Sequence, residues 1–303
     1  MKVAVIDLGT NTFHLIIAEL TPQETRICYK TNLPVRLGEG KINENFIIQE
    51  AFERGLLALE KFSLIIKEHQ VDLVKATATS AIRSAENGIN FVKAAKNYAG
   101  IDINVISGDE EAAYIFKGVR ATGVIDQTAL IMDIGGGSTE FILCNQEELL
   151  WKKSYNIGAA RLMQAFFHSD PITAEDQQDI IRHLDGELGD LKEVLNLYQP
   201  QHLIGSAGAF ETFAGILYPE LNLKEIKYYP ISIPAYKVLS ATFIASSHTE
   251  REKMPGLIRL RVDMIVMASI LTDYILSVGN IEQLSLSTYD LKMGVLADLQ
   301  PLK

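Results

Sequence analysis

Eight residues, DIGGGSTE at 133–140, place a carboxylate at each end of a three-glycine turn. Glycine lets backbone amides approach an anion with no Cβ in the way, and several such amides presented together form a phosphate cradle. This reading assigns Gly135, Gly136, Gly137 and Ser138 to phosphate oxygens. Asp133 and Glu140 stand where they would hold a divalent cation or activate water beside the phosphate.

The segment AVIDLGTNTFHLII at 4–17 repeats the arrangement. Laying Asp7 on Asp133 brings Gly9 to Gly135, Thr12 to Ser138 and Ile16 to Ile142, each 126 residues on. Two such units suggest a duplicated domain whose halves each point a phosphate loop at one shared cleft. Asn11 and Thr12 would donate from the first loop, and Asp7 would join Asp133 and Glu140 as a metal ligand.

A third glycine segment, LIGSAGAFE at 203–211, reads as strand, turn and helix. That order puts the amides around Gly205, Ser206 and Gly208 at a helix N-terminus, where anions bind. Arg83, in TSAIRSAENG, offers a planar guanidinium suited to phosphate oxygens, with the hydroxyls of Thr79 and Ser80 preceding it. Asp109, Glu110 and Glu111 follow ISG at the start of a helix that Ser107 would cap. From the residues alone, these three acids fit a solvated helix start as well as they fit chemistry.

In order, the segments DLGTNTFHL, TATSAIRSAENG, ISGDEEAAYIFKGV, DIGGGSTEF and MPGLIRLRVDMI resemble the exopolyphosphatase / guanosine pentaphosphate phosphohydrolase family, part of the actin, sugar kinase and heat-shock ATPase superfamily. The resemblance runs over nearly the whole chain. It implies an α/β fold of two actin-like (ribonuclease H-like) domains with a cleft between them. It matches the family's general base to Glu111, its other active-site acids to Asp133 and Glu140, and a phosphate contact to Arg83. The implied reaction is Mg2+-assisted attack of water on a terminal phosphoanhydride. Inorganic polyphosphate is the first substrate implied, and guanosine pentaphosphate the alternative. A sugar kinase and a non-catalytic polyphosphate or alarmone sensor are the other readings. Two departures stand out: Ala209 where the family has threonine, and Lys292-Met293-Gly294 where it tends toward Arg-Glu-Gly. The second puts guanine discrimination in doubt. Longer relatives carry a further helical C-terminal region, so terminal release from short chains is expected before processive handling of long ones.

With 303 residues and 48% hydrophobic content the chain can bury two cores, drawn here as 1–124 and 125–303, the last helix near 290–303 crossing back onto the first domain. No apolar run reaches the roughly 18 residues needed to span a bilayer, and the short MKVAVIDLGT strand does not fit a signal peptide, so no membrane partner and a cytoplasmic location are expected. Cys28 and Cys144 read as reduced thiols, and the six histidines show no metal-ligand spacing, so His14 is assigned to packing or hydrogen bonding. A formal charge of −10 argues against nucleic acid as a partner and requires a local basic island for a polyanion. Its candidates are Arg36, Arg83, Lys117, Arg120, Arg161, Arg251, Arg259, Arg261 and Lys292. A homodimer would lengthen the binding groove, but no sequence feature marks one.

Hydrophobic periodicity predicts strands at 2–7, 12–20, 25–33, 73–77, 103–106, 128–133, 139–145 and 150–156. It predicts helices at 48–68, 87–99, 109–119, 159–167, 174–196, 209–217, 235–246, 261–278 and 294–299. Thr173 is the expected N-cap of the long helix at 174–196.

Overall fold

The computed structural model describes residues 1–300 and divides into two compact units, Met1–Gly118 with Leu291 onward, and Val119–Asp290. The first unit holds strands β1 (Lys2–Leu8), β2 (Thr12–Leu20), β3 (Thr25–Pro34), β4 (Leu73–Ala78) and β5 (Ile103–Val105). Its helices are α1 (Gln49–Glu68), α2 (Ser80–Ser84), α3 (Gly88–Ala99) and α4 (Gly108–Arg120), which ends past the division. The sheet order is β3-β2-β1-β4-β5, with β1, β2 and β3 antiparallel and β4 and β5 parallel to β1.

The second unit contains β6 (Ala129–Ile134), β7 (Thr139–Cys144), β8 (Leu149–Tyr155), β9 (His202–Ser206), β10 (Tyr228–Ile231) and β11 (Gln283–Ser287). Its helices are α5 (Ala159–Phe166), α6 (Ala174–Glu187), α7 (Gly189–Tyr198), α8 (Gly208–Leu217), α9 (Ile233–Ala245), α10 (His248–Glu252) and α11 (Met264–Val278), and α12 (Leu291–Leu299) comes next, in the first unit. Its sheet runs β10-β11-β9-β6-β7-β8. Read from β8 to β11 this is an antiparallel meander followed by two parallel strands, the same order as in the first unit. The duplication inferred from a 126-residue offset is therefore a duplication of topology, and each unit is the expected ribonuclease H-like α/β sheet.

Strand alternation decides what each sheet face carries. In β1, Ala4, Ile6 and Leu8 enter the core built with α1 and α3, including Leu59, Phe62 and Phe91. Asp7 therefore projects to the opposite face with Val3 and Val5, and α12 packs on β1 and β2. Gly294 allows this helix close to α4, since a Cβ there would meet the carbonyl oxygen of Tyr114 at 1.8 Å. In β6, Leu130 and Met132 join the second core, leaving Asp133 on the other face.

Several predicted elements change in detail. The long helix at 174–196 is two helices meeting at buried Leu188, because Gly186 and Gly189 flank the junction and glycine weakens a helix interior. Thr173 caps the first of them, accepting from the Asp176 amide. The helix predicted from 261 starts at Met264, preceded by a 3-10 turn at Arg259–Arg261. The predicted elements do not include α2, β10, β11 or α10, although the last opens with a legible capping box, Ser247 and Glu250.

Candidate active site

The two glycine loops close in the same way. Gly9 N donates to Thr12 O at 3.2 Å, and Gly135 N donates to Ser138 O at 2.9 Å. A Cβ on either glycine would press on that same acceptor, at 3.0 Å and 2.9 Å. The Gly135 amide is thus engaged inside its turn, so its assignment to phosphate is replaced by a role in shaping the loop. The amides of Gly136 and Gly137 donate to no protein carbonyl among the described residues.

In each unit the chain just beyond the third strand fixes the loop carbonyls. In the second unit, Ala159 N reaches Gly135 O at 2.9 Å, Ala160 N reaches Gly136 O at 2.9 Å, and Arg161 Nε reaches Gly137 O at 3.0 Å. Gly158 permits this contact, because a Cβ there would lie 2.5 Å from Gly136 C. The α5 terminus thus holds the loop from its carbonyl side. In the first unit Val35 N and Arg36 N both donate to Asn11 O at 2.9 Å, and Gly38 N donates to Thr10 O at 3.3 Å.

Asp133 and Glu140 face each other as paired residues of β6 and β7. Like charges directly opposite repel unless something offsets them. Ser206 Oγ donates to Asp133 Oδ2 at 2.7 Å, and Ser154 Oγ donates to Glu140 Oε1 at 2.6 Å. Glu140 is buried at 1% exposure, so its hydrogen bonding is an energetic requirement. Ser206, assigned from sequence to phosphate, is directed at Asp133. Ser154 had no sequence signal, since only the β7–β8 register brings it opposite Glu140.

The matching pair in the first unit is Asp7 and His14 on β1 and β2. His14 stands 126 residues before Glu140, so the offset that aligned the loops would also have singled out this histidine. Lys292, buried on α12, places Nζ 3.5 Å from Asp7 Oδ2. Asp7 thereby has an ammonium neighbour, which a purely metal-binding carboxylate does not need.

Arg83 and Glu111 come together in the first unit, with Arg83 Nη1 2.8 Å from Glu111 Oε2 and 3.1 Å from Ile106 O. Glu111 is buried, while Asp109 and Glu110 are not. Glu110 serves the cap: its carboxylate accepts from the Ser107 amide and hydroxyl, each at 2.8 Å, and Ser107 Oγ accepts from Glu110 N. Three adjacent acids thus divide into a capping residue, an exposed residue and one buried carboxylate held by a guanidinium. At the start of α2, the helix of Arg83, Thr79 N donates to Leu8 O, and the buried Ser80 hydroxyl has no protein partner among the described residues.

In the GSAG turn, Gly205 is required by packing, because a Cβ there would strike the Phe210 ring at 1.9 Å. Ala207 takes φ 42°, a left-handed value for a residue with a Cβ, and Gly208 takes φ 47°. Arg261 donates to Thr212 Oγ1 at 2.7 Å, one turn beyond Ala209.

Of the remaining basic candidates, Arg251 is fully buried and binds Asp170 at 2.9 Å and Asp263 at 3.0 Å, so it is a structural clasp and not part of a surface island. Lys117 pairs with Asp298 and Arg259 with Glu252. Among the described residues no three His, Cys, Asp or Glu side chains cluster to hold a metal, and no helix is long and apolar enough to cross a membrane.

The model of the Ppx/GppA phosphatase family matches residues 16–303. The chain belongs to the Ppx/GppA phosphatase family. Within it, the chain is 28% identical to a putative exopolyphosphatase of Haemophilus influenzae, over 99% of this chain and 91% of that protein. It is 30% identical to the bifunctional 3-dehydroquinate synthase/phosphatase of Fusobacterium nucleatum, covering 97% of this chain and 46% of that one. It is 28% identical to a guanosine-5'-triphosphate,3'-diphosphate pyrophosphatase of Pseudoalteromonas translucida, covering 98% and 59%. The chain thus spans about half the length of two of these relatives. Among solved structures, an exopolyphosphatase from Cytophaga hutchinsonii superposes with TM-score 0.96 at 38% identity, covering 99% and 97% of the two chains. The Aquifex aeolicus PPX-GPPA enzyme superposes with TM-score 0.82 at 26% identity, covering 98% and 99%.

Proposed function

We propose that this Ppx/GppA family member hydrolyses the terminal phosphoanhydride of inorganic polyphosphate and releases orthophosphate. The observation that carries the reading is the buried Glu111 carboxylate, held at 2.8 Å by Arg83, on whose short helix the buried Ser80 hydroxyl has no protein partner among the described residues. A water-directing base needs a fixed carboxylate, and an unpartnered buried hydroxyl is what a bound oxyanion would satisfy. The names of the Haemophilus and Cytophaga relatives support polyphosphate as the substrate.

Glu111 orients a water molecule and takes its proton as the water attacks the terminal phosphorus in line, breaking that phosphorus's bond to the bridging oxygen, which leaves with the shortened chain. Arg83 keeps the carboxylate in place. The amides of Gly136 and Gly137 receive phosphate oxygens, and Asn11 and Thr12 donate from the first loop. The Asp133–Glu140 pair fits a hard divalent cation such as Mg2+, which takes oxygen ligands and is commonly held by one or two carboxylates plus substrate phosphates. When bound there, the cation supplies charge neutralisation for the transferring phosphoryl group. Ser206 and Ser154 hold the two carboxylates in orientation. Asp7, beside Lys292, suits charge balance in the first loop better than a metal-ligand role.

The same chemistry on guanosine pentaphosphate is the second reading, favoured by the name of the Pseudoalteromonas relative. Orthophosphate release from short polyphosphate, long polyphosphate and guanosine pentaphosphate, with no acceptor added, separates these readings. Faster release from polyphosphate supports the first. Release only when a hydroxyl acceptor and ATP are supplied would point to a kinase, and binding without turnover would point to a sensor.

A further inference from the structure

Arg36, a member of the proposed basic island, has its backbone held by the first loop. Residue 36 lies two positions beyond Pro34, which pairs with Thr12 at the start of β2, so the chain leaves β3 beside the loop. Its backbone takes φ 51°, a left-handed conformation that a bulky side chain such as arginine adopts only under constraint. The constraint comes from both sides. The amides of Val35 and Arg36 converge on Asn11 O, each at 2.9 Å. From α1, Arg54 Nε donates to Val35 O at 2.9 Å and Arg54 Nη2 to Arg36 O at 3.3 Å, while Arg54 also pairs with Glu39. A strained backbone that its surroundings over-determine in this way points to function.

The side chain presented by this strain is exposed, and its guanidinium makes no hydrogen bond or ion pair among the described residues. Arg54 fixes the turn, and Arg36 keeps its charge available. The second unit has a counterpart at the same topological place. Asn11 and Gly137 are 126 residues apart, and Gly137 O accepts from Arg161, which also lies beyond its unit's third strand. The equivalent loop carbonyl is met by the backbone amide of Arg36 in the first unit and by the side-chain Nε of Arg161 in the second, so holding the loop leaves the Arg36 guanidinium unspent.

We propose that Arg36 is a phosphate-binding residue of the first loop, taking the oxygens of a polyanionic phosphate chain. A guanidinium fork engages phosphate oxygens in pairs, which a solvated lysine does not reproduce. This inference rests on the phosphoanhydride reading above and adds a specificity residue to it.

The test is binding of tripolyphosphate by calorimetry to the Glu111→Gln protein, compared with Glu111→Gln carrying Arg36→Asn, Arg36→Lys or Arg36→Gly. Asparagine tolerates the left-handed backbone and glycine relieves it, so both should fold. Expected are about tenfold weaker binding with Asn and Gly, a smaller loss with Lys, a shallower dependence on salt, and no fall in Tm. In the otherwise unaltered enzyme, the same substitutions should raise KM by more than they lower kcat. Unchanged affinity and salt dependence in the Asn and Gly variants would overturn the role of Arg36 alone. Failure of the parent Glu111→Gln protein to bind tripolyphosphate would overturn both this role and the polyphosphate reading.

Discussion

Arg83 and Glu111 form a single unit: one guanidinium nitrogen, Nη1, serves both the Glu111 carboxylate at 2.8 Å and the Ile106 carbonyl at 3.1 Å. Two residues that the sequence offered for separate jobs, phosphate binding and base, are thereby coupled. Groups that act as a unit give non-additive mutational losses. Arg83→Met and Glu111→Gln should each lower kcat by roughly 10²–10⁴-fold, and the double variant should be little worse than the poorer single one. Multiplying losses would show that Arg83 acts independently, on phosphate. Arg83→Met should also cost on the order of 1–3 kcal/mol of stability in urea unfolding, since it removes a hydrogen-bond donor from a buried carboxylate.

Ser206 and Ser154 orient Asp133 and Glu140 from two different strands. Removing partners of this kind commonly costs about 10–100-fold in metal affinity or activity. Ser206→Ala and Ser154→Ala should each raise the Mg2+ concentration needed for half-maximal phosphate release, with a smaller change at saturating Mg2+. Identical Mg2+ curves in the variants and the parent would show that neither hydroxyl positions a metal-binding carboxylate.

Helix α12 carries two constraints within three residues. Lys292 brings its ammonium 3.5 Å from Asp7, and Gly294 seats the helix against Tyr114. Gly294→Ala should destabilise by about 1–3 kcal/mol, because the new methyl must push α12 from α4. Lys292→Met should lower activity more than Lys292→Arg, which keeps a cation beside Asp7. Calorimetric Tm and phosphate release on the same samples separate the two effects. Equal activity of the Met and Arg variants would show that the charge is dispensable.

Burial holds the His202 imidazole below its ordinary range, against a smaller upward pull from Asp126, whose carboxylate lies 3.6 Å from Nδ1. The folded value is depressed, so as pH falls through the unfolded value of about 6.5 the unfolded chain takes the proton first and stability declines. His248 runs the other way, its hydrogen bond to Asp263 raising it, so its contribution is present below about 6.5 and lost as pH rises through the folded value. His248 is half exposed, which weakens its share. Urea midpoints between pH 5 and 8 should therefore show an acid-side loss that His202→Gln flattens. A slope unchanged by that substitution would contradict the assignment.

Most of the site's backbone was legible in the chain, for a definable reason. A glycine turn must carry glycine, so Gly9 and Gly135 marked both loops and their offset revealed the duplicated sheet. The same offset reaches His14 and Glu140, and strand register bears out that this histidine and this glutamate occupy one position although they share no residue type. Ser154 was hidden because the β7–β8 register, irregular at Leu143/Cys144, cannot be read from spacing. Strand β11 escaped because its QLSLS alternation is short and its serines are as buried as its leucines. Strand β10 escaped because it contains Pro230, which suits its place at the sheet edge. Arg251 looked like a surface cation, since sequence cannot show that Asp170 and Asp263 close over it.

The most direct test of the central claim is single-turnover cleavage of short polyphosphate in H₂¹⁸O with Mg2+ by the parent protein and by Glu111→Gln, with substrate binding measured alongside. One solvent oxygen should enter each released orthophosphate, and Glu111→Gln should slow release by at least about 10²-fold while still binding substrate. Parent-like release by Glu111→Gln, or orthophosphate without solvent oxygen, would contradict water attack directed by Glu111.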